Sequence, residues 1–282
     1  MNPHTHALPP ALAHARLAFI GGGNMASAII GGLIRQGLPA DRIEVVEPDA
    51  AQRDKLRATW PMQVHEHAGP ALHSATMVAW AVKPQTFGQA ALACAPHTAA
   101  ALHLSVAAGI RCDSMAQWLG TERIVRAMPN TPALVGAGMT GLYARPAVSP
   151  LERELVSAIM ATTGQVLWLP HESDLDAVTA LSGSGPAYVF YFLEAMRQAG
   201  QEMGLDADTA TQLAIGTFVG ASRLAADASE PPEVLRERVT SKGGTTHAAL
   251  CAMNDAGMAK AFVQAMHAAH RRAQALGDEF VP

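Results

Sequence analysis

Six residues near the start of the chain have the types and spacing that a phosphate cradle requires. Gly21-Gly22-Gly23-Asn24-Met25-Ala26 fits the pattern G-x-G-x-x-A. Glycine at Gly21 permits a tight turn, glycine at Gly23 lets a pyrophosphate approach the backbone, and the small Ala26 lets a helix pack closely on a strand. Asn24 and Met25 open that helix, whose unpaired N–H groups and positive dipole end face the phosphates. Glu47 follows roughly twenty residues later, where a carboxylate accepts hydrogen bonds from an adenosine ribose diol and repels a 2′-phosphate. That leans toward NADH, although Arg53 could supply a phosphate partner after a modest loop rearrangement. Three glycines alone could merely make a turn. The surrounding elements decide that.

Leu17 to Ile20 is a short apolar run entering the glycines, and Met25, Ile29 and Leu33 recur at helical spacing after them. Glu47 ends a second predicted strand, Ile43 to Val46. The pattern repeats with strands at Met77 to Val82 and Ala101 to Val106, and with helices at Ala50 to Ala58, Gln85 to Ala95 and Ser114 to Leu119. Short strands at Ile124 to Ala127, Gly141 to Ala144 and Gln165 to Leu169 follow, with a helix at Pro150 to Thr162. Alternating strands and helices predict a doubly wound parallel α/β sheet of Rossmann type. After His171 β-branched runs nearly vanish, and the rest reads as helices, the last spanning Thr246 to Leu276. The expected organisation is a flexible extension over 1–16, a dinucleotide-binding domain over 17–171, and an all-α domain over 172–282. So Ala-rich a helical domain could bury its excess apolar surface in a dimer.

Composition narrows the class. The chain has 282 residues, 49% hydrophobic and 16% charged, with a formal net charge of −4, so it has ample core and no basic stripe for nucleic acid or a membrane surface. No apolar run is long enough for a membrane span. Cys94, Cys112 and Cys251 are odd in number and form no CxxC pair, which fits a reducing cytoplasm and suggests neither disulfides nor zinc. Twelve histidines, His65 and His67 among them, lack an HExxH or Cys/His cluster, so no metal is expected. No Ser-His-Asp, Cys-His or paired-carboxylate arrangement stands out.

Several stretches go beyond turns and packing. They are Ala81-Val82-Lys83-Pro84, Ser105-Val106-Ala107-Ala108-Gly109-Ile110, Met128-Pro129-Asn130-Thr131-Pro132-Ala133-Leu134-Val135, Leu181-Ser182-Gly183-Ser184-Gly185-Pro186-Ala187-Tyr188, and Val239-Thr240-Ser241-Lys242-Gly243-Gly244-Thr245-Thr246. The last, read by itself, is equally a helix N-cap, since Ser, Thr and Gly favour such places regardless of function. Together with the Gly21 turn, these motifs resemble the pyrroline-5-carboxylate reductase family from near residue 17 almost to the end.

The resemblance implies a Rossmann-type domain, a helical domain that dimerises by interleaving helices, and reduction of 1-pyrroline-5-carboxylate to L-proline by NADPH or NADH. It implies a homodimer, or a higher oligomer built from dimers. It places substrate on Ser241, Gly243, Gly244 and Thr245, whose amides can cradle a carboxylate as an anion nest. Thr246 becomes the catalytic residue, its hydroxyl bonding the ring nitrogen. Ala81, Val82, Lys83 and Pro84 resemble the turn covering the dinucleotide, Ala107, Ala108 and Gly109 a surface near the nicotinamide, and Asn130 and Thr131 a supporting loop. Relatives usually carry Pro where this chain has Lys242, and an acid before a His-Pro pair where it has Glu230-Pro231-Pro232. Two rival readings use the same layout. A β-hydroxyacid dehydrogenase would need a catalytic lysine, for which the helical half offers only Lys242 and Lys260; a dinucleotide-binding regulator would lack turnover.

Overall fold

A computed structural model describes residues 8–281. Eight strands form one sheet: β1 (Leu17–Ile20), β2 (Ile43–Val46), β3 (Gln63–His65), β4 (Met77–Trp80), β5 (Leu102–Ser105), β6 (Ile124–Met128), β7 (Gly138–Ala144) and β8 (Gly164–Trp168). They lie in the order 3-2-1-4-5-6-7-8, parallel throughout except where β7 runs antiparallel to β6. Sequence order therefore reverses between β1 and β4, the switch point at which doubly wound sheets open a crevice beyond the carboxyl ends of their strands.

The paired strands β1 and β4 are apolar along their whole length because both faces are covered. Along β1, Leu17 and Phe19 enter a core with Ile29 and Leu33 of α1 (Asn24–Arg35), whereas Ala18 and Ile20 face the other way. That second core takes in Trp80 with Phe87 and Ala91 of α3 (Pro84–Thr98) and Met115 of α4 (Cys112–Leu119). Between α1 and α3 lies α2 (Ala50–Thr59), capped by Asp49, whose side chain accepts from the Gln52 amide. The helix α5 (Pro150–Met160) starts on a capping box between Ser149 and Glu152, with proline in its first turn.

Three features depart from expectation. The strand β3 is absent from the sequence reading, because three residues with one buried side chain, Val64, give no periodic signal. The expected extension is wrong for its second half: Leu12 and Ala15 are buried, and Arg42 Nη1 donates to the Ala13 carbonyl at 2.6 Å. Residues 1–7 of it lie outside the described residues. The continuous helix expected over Thr246 to Leu276 is two, α10 (Thr245–Asp255) and α11 (Met258–Glu279), because Gly257 between them adopts φ +66°.

The chain forms two compact units, one running to Ser184 and resuming at Ala269, the other Gly185–Ala268. The sequence places this boundary at 171/172, where helices begin. Yet α6 (Asp174–Val178) and a π turn at Thr179–Gly183 stay with the sheet: Leu175 and Ala180 are buried, and a Cβ on Gly141 of β7 would lie 3.0 Å from Val178. The last turns of α11 also belong to the sheet unit, where Ser114 Oγ donates to the Phe280 carbonyl. The second unit holds α7 (Gly185–Glu202), α8 (Ala207–Asp227), α9 (Pro232–Arg238), α10 and the start of α11. In it α7 and α8 approach closely at Gly200, where a Cβ would meet Ala210 at 2.8 Å.

His103 on β5 is 1% exposed, and the Trp80 indole N–H donates to its Nδ1 at 3.1 Å. Burial lowers its pKa from 6.5 to about 4. Between those values the unfolded chain binds the proton that the folded chain refuses, so stability falls as pH drops through 6.5 toward 4. From pH 7 to pH 5 the loss from this residue is roughly 2 kcal/mol. Urea unfolding at the two pH values should show a steeper pH dependence in wild type than in His103→Leu; equal dependence would contradict the assignment.

Candidate active site

At the end of β1 the backbone turns through Gly21 with φ +92°, its amide donating to the Val46 carbonyl at 2.8 Å. A Cβ there would sit 2.6 Å from the Ala81 carbonyl oxygen, so only glycine fits. At Gly22 a Cβ would strike Leu56, whereas at Gly23 it would meet nothing within 4 Å. Gly23 therefore faces open space at the start of α1. No side chain caps that helix and its first turn has no acid, so the amides of Asn24, Met25 and Ala26 keep the anion-binding character of a helix start. Ala26 is buried, which seats α1 on the sheet.

Glu47 stands at the end of β2, buried to 9% exposure. Its Oε2 accepts the Gly22 amide at 2.8 Å and its Oε1 the Asp49 amide at 2.9 Å. The acid thus braces the glycine turn. Gln52 adds a second brace, its side-chain amide donating to the Gly22 carbonyl. Glu66, just after β3, pairs with Arg53 at 3.2 Å. Both residues escaped notice as site residues; recognising β3 would have placed Glu66 one strand from Glu47, as the pairing of Val46 with His65 requires.

The opposite wall comes from β4. The Ala81 amide donates to the Ile20 carbonyl at 2.8 Å, and Lys83 is extended (ψ 144°) because it precedes Pro84 at the start of α3. Between these walls opens a cleft of about 430 Å³ lined by Gly21, Val46, Pro48, Glu66, Val82 and Ala90, among others. Cys94 also lines it; burial pushes its thiol up to about 11, so at neutral pH it is an unreactive apolar filler. After β5, Ala107 is buried with its amide on Ser105 Oγ, and Gly109 turns with φ +76° where a Cβ would crowd Leu276. Gly21, Gly23, Glu47, Ala81, Val82 and Ala107 are thus gathered at the carboxyl ends of β1, β2, β4 and β5. Asn130 supports its loop, donating to Ser182 and accepting the Met139 amide at 2.9 Å.

In the second unit, the loop after α9 turns at Gly243 with φ +77°, and the Gly244 amide donates to the Ser241 carbonyl. Gly244 then starts α10, with no side-chain cap and no acid in the first turn. A Cβ on Gly244 would fall 2.7 Å from Ser241 Oγ. Thr245 and Thr246 occupy the first two helical positions and are exposed, as are Ser241, Lys242 and Gly243. His65 pairs with Glu44 at 2.6 Å, and no group of three potential metal ligands occurs among the described residues.

Residues 172–276 match the family model for pyrroline-5-carboxylate reductase dimerisation, and residues 16–109 the model for NADP oxidoreductase, coenzyme F420-dependent. The Pseudomonas aeruginosa pyrroline-5-carboxylate reductase is 43% identical over 266 residues, covering 94% of this chain and 97% of the relative. The chain belongs to the pyrroline-5-carboxylate reductase family. A reductase structure from Coxiella burnetii superposes with a TM-score of 0.87 at 36% identity, covering 93% of this chain and 98% of the other. A Plasmodium falciparum pyrroline carboxylate reductase, solved with NADP bound, gives 0.83 at 26% identity over 93% of this chain and 98% of that one.

The reaction is accordingly the NAD(P)H-dependent reduction of 1-pyrroline-5-carboxylate to L-proline. The reductase is a homodimer, in keeping with the dimerisation segment and with apolar side chains left exposed on its helices, Phe190, Tyr191, Leu213, Val219 and Leu224 among them. No helix among the described residues is long and apolar enough to cross a membrane.

The space at Gly23 yields a sharp prediction. Gly23→Ala should melt within a few degrees of wild type, because its Cβ meets no protein atom within 4 Å, yet weaken NAD(P)H binding more than about tenfold by occupying the pyrophosphate position. Nicotinamide fluorescence titration beside a thermal melt checks this, and retained affinity would contradict the placement.

Proposed function

We propose that the reductase holds its imine on the loop from Ser241 to Thr246 and that Thr246 is its catalytic residue. The single observation carrying this reading is the uncapped start of α10: no side chain occupies its first-turn amides, and the exposed Thr246 hydroxyl lies in that same turn. The amides of Gly243, Gly244 and Thr245 are suited to the substrate carboxylate, since a helix start and a nest of successive N–H groups both favour an anion. Gly243 and Gly244 keep the backbone bare for that approach.

The nicotinamide supplies a hydride to C5 of the C=N bond. A proton joins the ring nitrogen, so the imine becomes the secondary amine of proline. Because a protonated imine accepts hydride readily, the protein's task is chiefly orientation. The Thr246 hydroxyl serves it by hydrogen-bonding the nitrogen and keeping the proton there as hydride arrives. Lys242, exposed and outside the amide cluster, is assigned to solvent.

The same reading gives the helical segment from residue 172 the roles of substrate binding and dimerisation, and the Ala81–Pro84 and Ala107–Gly109 turns that of seating the cofactor. Higher assembly would be built from dimers, and a cytoplasmic setting accords with three unpaired cysteines.

Thr246→Ala should lower kcat by about 10²–10³ while changing the NAD(P)H dissociation constant little, and Thr246→Ser should recover most of the rate. Steady-state kinetics with 1-pyrroline-5-carboxylate measures this. An alanine variant with wild-type kcat would remove Thr246 from the chemistry.

A further inference from the structure

The adenosine end of the cleft carries a charge pattern that discriminates between the two nicotinamide cofactors. NADPH differs from NADH by a 2′-phosphate, a group bearing about −1.5 to −2 charges near neutral pH. Any protein that welcomes it must set a cation or several donors beside the ribose. At this site the nearby groups are mostly acids: Glu47 at the end of β2, Asp49 two residues on, and Glu66 after β3.

Glu47 cannot swing aside. Its two oxygens accept the amides of Gly22 and Asp49 at 2.8 and 2.9 Å, and the first of these bonds is buried. Each oxygen retains a further lone pair, enough to accept from a ribose hydroxyl but of the wrong sign for a phosphate. Arg53, six residues after Glu47, is committed elsewhere. Its Nη1 donates to the carbonyls of Glu47 and Pro48 at 3.0 and 2.7 Å, its Nη2 pairs with Glu66 at 3.2 Å, and its side chain is only 13% exposed. No lysine or arginine is among the described residues lining the cleft, and His67, which does line it, sits 3.6 Å from Glu66 Oε1.

We propose that this reductase selects NADH over NADPH, with Glu47 repelling the 2′-phosphate and Glu66 holding Arg53 where it cannot neutralise one. The Plasmodium falciparum relative was solved with NADP bound, so the preference is ascribed to this chain's own residues. It concerns dinucleotide binding alone and does not depend on the role of Thr246.

The test is equilibrium binding of NADH and NADPH to the intact dimer without imine, read by nicotinamide fluorescence. NADH should bind at least about tenfold more tightly, with the gap narrowing as salt screens the repulsion. Substituting Glu47 would also disturb the glycine turn, so the exposed Glu66 is the better probe. Glu66→Gln should remove one acid from the site and release Nη2 of Arg53, raising affinity for NADPH more than for NADH and narrowing the gap at least about threefold. Adenosine 5′-monophosphate should likewise compete better than adenosine 2′,5′-bisphosphate against wild type. Equal or tighter NADPH binding by wild type would overturn the proposal, as would an unchanged gap in Glu66→Gln.

Discussion

A close approach of two strand ends governs the dinucleotide cleft. At Gly21 the chain turns with positive φ directly against the Ala81 carbonyl, leaving no room for a side chain. The two strands that meet there, β1 and β4, are paired in parallel at the point where strand order reverses. From that contact follow the direction of α1, the position of Gly23 at its open start, and the crevice between the Gly21 and Ala81 turns. Glu47 and Gln52 then grip Gly22 from the β2 side, so the turn is held at its amide and at its carbonyl. A glycine-rich loop would otherwise be the least ordered part of the chain; here its freedom is removed by strand pairing and by hydrogen bonds.

The second unit repeats the same physical device in a different setting. Both α1 and α10 begin after glycine, with neither a side-chain cap nor an acid in the first turn. By contrast α2, α5 and α8, whose starts are given no anion to bind, are each capped by a side chain, Asp49, Ser149 and Asp206 respectively. Leaving a cap out costs about 1 kcal/mol at each helix. Among the helices without a side-chain cap, α1 and α10 are the two that begin after glycine, and their starts are the ones assigned to the pyrophosphate and to the substrate carboxylate. A reaction that needs hydride, a proton and correct orientation can be run largely on such backbone donors, which explains the scarcity of charged catalytic side chains.

Much of this was legible in the residues, because the glycine turn is a backbone requirement that only one residue type meets. The strands β1 and β4 were equally plain, since burial on both faces leaves an uninterrupted apolar run. What escaped was decided by tertiary packing. The strand β3 is too short for periodicity, and with it went Glu66. Leu12 looks like part of a loose leader until the core that buries it is known. The domain boundary was displaced because α6 reads like the helices after it, though its apolar side packs on β7, and because the end of α11 returns to the first unit. Nor could the sequence say that Arg53 is tied to Glu66, since that ion pair spans two strands and a helix. The roles of Ser241 to Thr246 came from resemblance; the structure adds the bare helix start that makes them chemically sensible.

The central claim is that a dinucleotide seated against the Gly21 turn delivers hydride to C5 of the cyclic imine. Incubating the purified reductase with 1-pyrroline-5-carboxylate and a reduced nicotinamide dinucleotide deuterated at both C4 positions tests it directly. Mass spectrometry of the product should show proline heavier by one deuterium, located at C5 and formed in step with cofactor oxidation. Unlabelled proline, or cofactor oxidation without proline, would contradict it.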